Sequence, residues 1–554
     1  MKRNLNTYSI NKRTGIATGV LALLLSASSC TKDFEKINTP YKDVAVSTAS
    51  PVAVFNQLAR NATNEDYTLY TGLFMPITNQ QGVQNVSIPY TNYISSFWNN
   101  YYPDLANYKL LVQLINASAS PAAYNNLKSI ATIMIASKTL SMLDRYGSIP
   151  YSKAGVGASG PAAYQPAYDD EASVYTSVLG DLATAVNTIK SGAAASDQIQ
   201  LGSSESFLNN NYDSWVKFGN ALRLRYAVRL FAKNAGLATP IITDIIGGNK
   251  PLPSTTSYAS MEDMRQNNYG TYPQLLSTNP SYGDRFWYAF REVSVTNIRL
   301  SSNVWNQISA TNATDGSGIY DPRAFVWFMP NNAGKWVAQA QDKSQPEGSS
   351  SLYPNTSSNA PAPPNTLTDN KFSGFNFYLV RDFLAFPYVT ISEADVHFLK
   401  AEIYARGMGV AADFTKATQE YNAGLTASVN FWYTYVATTN GGIWPAGSKP
   451  TLATGALAAF LANPNVALVV GDNTGNLKKI ITQAWLAALW ESPEAWAIVR
   501  RTGLAPKDPN YSPQVFNKLP YPNDEAVNNK DNWMKMTNGA NPDDQAKTKV
   551  YWMP

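Results

Sequence analysis

"EADVHFLKAEIYARG" (393–407), with "ATQEYNAGLTAS" (417–428) close behind it, reads as two amphipathic helices joined by a short turn. Ala394, Phe398, Ala401 and Ala405 share one narrow face of the first helix. Small side chains on that face let a neighbour approach closely. With Ala and Gly at the crossing, the pair looks like a tetratricopeptide-type hairpin, although no strict repeat of roughly 34 residues runs through the chain.

The same grammar recurs on either side. "SPAAYNNLKSIATIMIASKTLSMLDRYGSIP" (120–150) places Ser120 as N-cap and Pro121 at the first helical position, and Gly147 ends it. Ile133, Ala136, Leu140 and Leu143 form one stripe; Leu127, Ile130 and Met134 form another. A helix apolar on two stripes packs between neighbours. In "YDDEASVYTSVLGDLATAVNTIKSG", Asp169 or Asp170 caps, and Gly192 is the expected stop. "DSWVKFGNALRLRYAVRLFAKNAG" continues the plan up to Gly236. "ITQAWLAALWESPEAWAIVRRTG" reads as two pieces, the second restarted at Ser492-Pro493. The fold class is therefore mainly α, a scaffold of helical hairpins. Between residues 251 and 386 the periodicity fails and Gly, Pro, Asn and Ser dominate. That stretch reads as a loop-rich region, where binding residues usually reside.

The N-terminus carries a secretion signal. Lys2, Arg3, Lys12 and Arg13 precede an apolar run from Ile16 to Ala27, and small residues lead to Cys30, the only cysteine. A single Cys cannot close an internal disulfide. Directly behind a signal peptide it has a use as a lipid acceptor, and several acyl chains on one residue anchor a protein stably. The expected division is a lipoprotein signal peptide over 1–29 and a mature body over 30–554. Removing the four basic residues of the signal leaves 39 Lys and Arg against 39 Asp and Glu. A mature chain of zero formal charge has no field to hold a polyanion, so nucleic acid is not an expected ligand.

Catalytic motifs find little footing. "GVGASG" (155–160) matches a dinucleotide pattern but neither follows a buried strand nor opens a helix, so it reads as a loop. His397 is the only histidine and sits mid-helix. One His and one lipidated Cys cannot form a zinc site, and no cofactor or metal is expected. "GDNTGN" (471–476) lacks the spacing of a calcium loop. A glycosidase needs only two suitably separated acids. Asp104, Asp315 and Asp321 are candidates, and spacing in sequence does not select among them. Arg223, Arg225 and Arg229 cluster on one helix, where ion-paired structural arginines are the default reading.

Sugar rings present apolar C–H faces and a rim of hydroxyls. A site for them needs exposed flat aromatics beside amides or charges. "TNYISSFWNNYYPDL" (91–105) offers Trp98, Tyr101 and Tyr102 beside Asn99 and Asn100, although Phe97, Trp98 and Tyr101 also fit a core stripe. "GDRFWYAFRE" (283–292) offers Trp287 and Tyr288 beside Arg285. "NNAGKWVAQ" (331–339) offers Trp336 in a Gly-Asn loop. Trp287 and Trp336 are expected at the surface, since their neighbours show no helical period.

Taken in order, "SSCTKDFEKINTP", "LDRYGSIPYSKA", "WVKFGNALRLRYAVRL", "DPRAFVWF", "EADVHFLKAEIYARG", "AWAIVRRTG", "LPYPNDEAVNN" and "TKVYW" resemble the SusD/RagB family of nutrient-binding outer-membrane lipoproteins, and more closely its divergent second branch. The resemblance implies a SusD-like fold, lipid anchorage at the cell surface, and a SusC-like TonB-dependent transporter as partner. The protein would bind oligosaccharide, or peptide, and pass it to that channel without catalysis. The family's sugar contacts near the start of the corresponding helix point to Trp98 and Asn99. Lys32, Asp33 and Glu35 resemble the charged signal that sends such lipoproteins outward. A secreted helical glycosidase and a purely structural lipoprotein are the competing readings.

Overall fold

A computed structural model of the chain describes residues 49–61, 70–82, 92–156, 164–205, 208, 210–254, 299–331, 333–340, 372–376, 378–379, 391–438, 444–508 and 516–554. Cys30, Arg285, Trp287 and Tyr288 lie outside the described residues, as does much of the loop-rich stretch.

The fold is mainly helical. The principal helices are α1 (Pro51–Arg60), α2 (Asn92–Asn116), α3 (Asn125–Tyr146), α4 (Glu171–Thr188), α5 (Tyr212–Leu230) and α6 (Ala235–Ile242). After the loop-rich stretch come α7 (Glu393–Arg406), α8 (Phe414–Thr438), α9 (Asn473–Ala487) and α10 (Ser492–Thr502). No described helix is long and apolar enough to cross a membrane.

The hairpin read from sequence forms, and α7 and α8 are the most extensively packed pair of elements. Ser392 and Asp395 make a capping box: the Ser392 hydroxyl accepts from the Asp395 N–H at 3.0 Å, and Asp395 accepts from the Ser392 N–H at 2.7 Å. Gly407 closes the helix in the left-handed region, with φ 68°. The crossing is as tight as the small residues allow. A Cβ on Gly424 would stand 2.9 Å from a ring carbon of Phe398 and 3.2 Å from the His397 Cβ.

Two helix ends differ from the sequence reading. Ser120 makes no capping hydrogen bond, because Pro121–Tyr124 forms a separate 3-10 turn and α3 begins at Asn125. Helix α4 ends at Thr188 without a glycine, and Gly192 opens the following 3-10 turn. Asp170 is the N-cap of α4, accepting from the Ser173 N–H at 2.9 Å. Asp169 instead accepts from the backbone N–H groups of Tyr151 and Ser152. The restart at Ser492-Pro493 is observed.

Among the described residues, four two-residue strands make one antiparallel sheet: β1 (Gln81–Gly82), β2 (Arg299–Leu300), β3 (Phe328–Met329) and β4 (Gly374–Phe375), in the order β1-β2-β4-β3. Gln81 pairs with Leu300, Arg299 with Gly374, and Phe328 with Phe375. Gly82 is required by contact, since a Cβ there would lie 2.8 Å from the Gln339 carbonyl oxygen. This sheet fastens parts of the loop-rich stretch to the helical body.

Candidate functional site

Trp98 projects from α2 into a nest of aromatic rings. Tyr102 and Tyr146 lie 5.1 Å away, Tyr521 5.7 Å and Tyr168 6.4 Å between centroids. The indole is 4% exposed and Tyr101 is 1% exposed. Burial drives the Tyr101 hydroxyl far above its usual range, and it bonds Thr139 at 2.9 Å. Both rings belong to the core stripe, and neither offers a face to a ligand, which corrects their assignment as stacking platforms. Asn99 is exposed on the same helix and Tyr102 is half-buried. The Tyr102 hydroxyl has no hydrogen-bond partner among the described residues.

Trp336 also departs from the expectation of surface exposure: it is buried, at 8%. Its indole stacks on Trp305 at 6.0 Å with 20° between planes. The loop before it folds over the ring. The Trp336 N–H donates to the Thr314 carbonyl at 2.8 Å, and a Cβ on Gly316 would stand 2.8 Å from Trp336 Nε1. That closeness, with φ 81° at Gly316, demands glycine there.

The ladder reaches solvent one ring further on. Phe325 meets Trp336 edge to face at 6.0 Å and 89°, and is 45% exposed. Lys335 is exposed beside Trp336, and Asn312 accepts from Trp305 Nε1 at 3.1 Å. An exposed ring on a fixed aromatic base suits the apolar face of a sugar. Sequence reasoning missed Phe325, which stands in the apolar run "AFVWF" (324–328), where nothing separates the one exposed residue from its buried neighbours. Tyr164, 70% exposed, was missed as well.

The charged candidates are committed elsewhere. Asp321 pairs with Arg323 at 2.6 Å, both at 0% exposure. Asp104 pairs with Lys138 at 2.5 Å, and Asp315 accepts from the Ser317 N–H at 2.9 Å. Arg223 pairs with Asp244 at 2.8 Å. Arg225 contacts Asp395 at 3.1 Å and Glu491 at 3.3 Å, while Arg229 bridges Asp144 and Glu494. Burial pushes the Glu494 carboxyl up, but Arg225 and Arg229 outweigh it and hold it down at about 2. His397 bonds Glu420 at 2.6 Å. Burial pulls its ring down, and hydrogen bonds to Glu393 and Glu420 more than offset that. No described group of three or more His, Cys, Asp or Glu is arranged to hold a metal ion.

Residues 39–522 match the SusD-like_2 family model, described as starch-binding and associating with the outer membrane. No curated protein matches the chain. Solved structures share its fold. A chitin-binding protein is 22% identical with a TM-score of 0.58, covering 91% of this chain and 100% of its own. A SusD homolog from Parabacteroides distasonis is 17% identical with a TM-score of 0.62, over 91% and 98% of the two chains. A chitin-binding SusD homolog from Flavobacterium johnsoniae is 19% identical with a TM-score of 0.55, over 92% and 96%.

Proposed function

This chain belongs to the SusD-like family, and on that premise we propose that it is a non-enzymatic lipoprotein that captures oligosaccharide at the surface of the outer membrane. It hands the ligand to a SusC-like TonB-dependent transporter. Lipid on Cys30 holds it there once the signal peptide over 1–29 is removed.

The observation that carries the glycan reading is the ladder from Trp305 through Trp336 to exposed Phe325. Stacking needs a flat ring that is both accessible and held still, and the two buried indoles supply the second condition. Asn99 and Tyr102 on α2, and Arg285, Trp287 and Tyr288 in the loop-rich stretch, are proposed as further ligand contacts. The chitin-binding relatives make β-linked N-acetylglucosamine oligomers the first ligands to try.

Calorimetry against starch, chitin and other oligosaccharides tests binding, with an assay for released reducing ends run in parallel. Saturable binding without new reducing ends is the expected result. Hydrolysis of a bound glycan would replace this reading with a glycosidase. Co-expression with a candidate SusC-like transporter, followed by purification in mild detergent, tests the partnership; recovery of this chain alone would count against delivery.

A further inference from the structure

Where the N-terminus of α7 meets α8 and the α9–α10 junction, a cavity of about 30 Å³ opens. By the same measure one water needs roughly 10–15 Å³, so the space holds two waters or one ion the size of methylammonium. Its walls are of two kinds. Phe431, Trp432 and Trp490 supply aromatic surface, with Phe431 and Trp432 5.0 Å apart and Trp432 and Trp490 5.6 Å apart between centroids. Ala394, Ala427 and Ala487 give it room. The polar side is Ser392, Glu393, Ser428 and Glu491.

Glu393 decides what fits. It is 7% exposed, and its Oε2 is buried with no hydrogen-bond partner among the described residues. Among the described residues its other oxygen has the His397 ring as its ion-pair partner, at 3.7 Å. Glu420 takes the nearer contacts of that cluster, with His397 Nδ1 at 2.6 Å and with Lys400. Glu491 is engaged with Arg225. A buried carboxylate oxygen left unpaired is costly. Water finds polar partners only along Ser392, Glu393, Ser428 and Glu491 and makes no use of the ring faces. An ammonium group satisfies the carboxylate directly and uses the aromatic faces as well.

We propose that this cavity binds a small ammonium group, with Glu393 as its counter-ion and Phe431, Trp432 and Trp490 as its aromatic walls. The shared chemistry fits a free small amine or the amino end of a larger ligand. Divalent metals are a poor match, since the donors are too few.

The test uses the intact protein and methylammonium chloride, with sodium chloride at matched ionic strength as control. Indole resonances of Trp432 and Trp490, assigned through Trp432→Phe and Trp490→Phe, should shift saturably with methylammonium and not with sodium. Glu393→Gln should weaken the response at least tenfold while circular dichroism stays unchanged. Should that variant misfold, Ala487→Leu, which fills the rim and leaves Glu393 in place, should abolish binding. Butylammonium separates the sources: tighter binding than methylammonium indicates the end of a larger molecule, and weaker binding a free cation. No saturation, an equal response to sodium, or full binding by Glu393→Gln would overturn the proposal and leave a water-filled cavity. Glycan binding at Phe325 is measured separately, so failure here leaves that reading standing.

Discussion

Trp552 donates its indole N–H to Asp144 at 2.9 Å, across 408 positions of sequence. The same carboxylate accepts from Tyr226 at 2.7 Å and Tyr175 at 3.3 Å, and pairs with Arg229. Arg229 is 2% exposed. Removing one partner of a buried pair costs up to about 3–5 kcal/mol, and Arg229 would keep only Glu494. Asp144→Asn should therefore lower the thermal midpoint sharply. Asp144→Leu combined with Arg229→Met should recover little of the loss, because the Tyr226, Tyr175 and Trp552 donors then have no acceptor and Glu494 loses Arg229. A single variant that unfolds within a degree of the parent would refute this role for Asp144.

Glu171 gives the fold a pH dependence of known sign. It accepts from the Tyr551 N–H at 2.8 Å. Burial pushes its carboxyl up from 4.5 to about 7, against the lowering effects of that hydrogen bond and of Lys518. The folded state thus holds a proton that the unfolded state has released, and this group's contribution to stability falls as pH rises from 4.5 toward 7. Denaturant unfolding at several pH values should show that decline, and Glu171→Gln should flatten it. An unchanged slope in the variant would assign the dependence to other groups.

Phe325 and Trp336 should separate binding from stability. Phe325→Ala removes an exposed ring, so glycan affinity should drop by about 1–3 kcal/mol, by analogy with base stacking. Its unfolding midpoint should move little. Trp336→Ala empties a buried site and should destabilise by about 3–5 kcal/mol. Trp98→Ala should behave like Trp336→Ala. Calorimetry and thermal melts on the three variants check the division, and undiminished glycan affinity in Phe325→Ala would move the stacking surface elsewhere.

Cys30→Ser tests the anchor. The variant should leave the outer-membrane fraction and appear unprocessed or soluble, with loss of acyl label at the N-terminus. Continued fractionation with the outer membrane in a strain lacking the transporter would show that lipid on Cys30 is not what holds the protein.

Sequence by itself determined the helices whose signals are local. The Asp170 cap, the Gly147 stop and the Ser492-Pro493 restart each act within a few residues, so each was legible. The α5 arginines could be read as ion-paired in kind, though not by partner. Tertiary structure alone decided which aromatic rings are covered. Trp336 is hidden by the loop that includes Thr314 and Gly316, and Trp98 by Tyr146, Tyr168 and Tyr521 from distant segments. It alone assembled a sheet from four dipeptides too short to show a period, and closed the cavity at Glu393 from residues of several helices. The physical reason is common to all of these. Helix propensity and capping are properties of neighbours in the chain, whereas burial sums over atoms that only folding brings together.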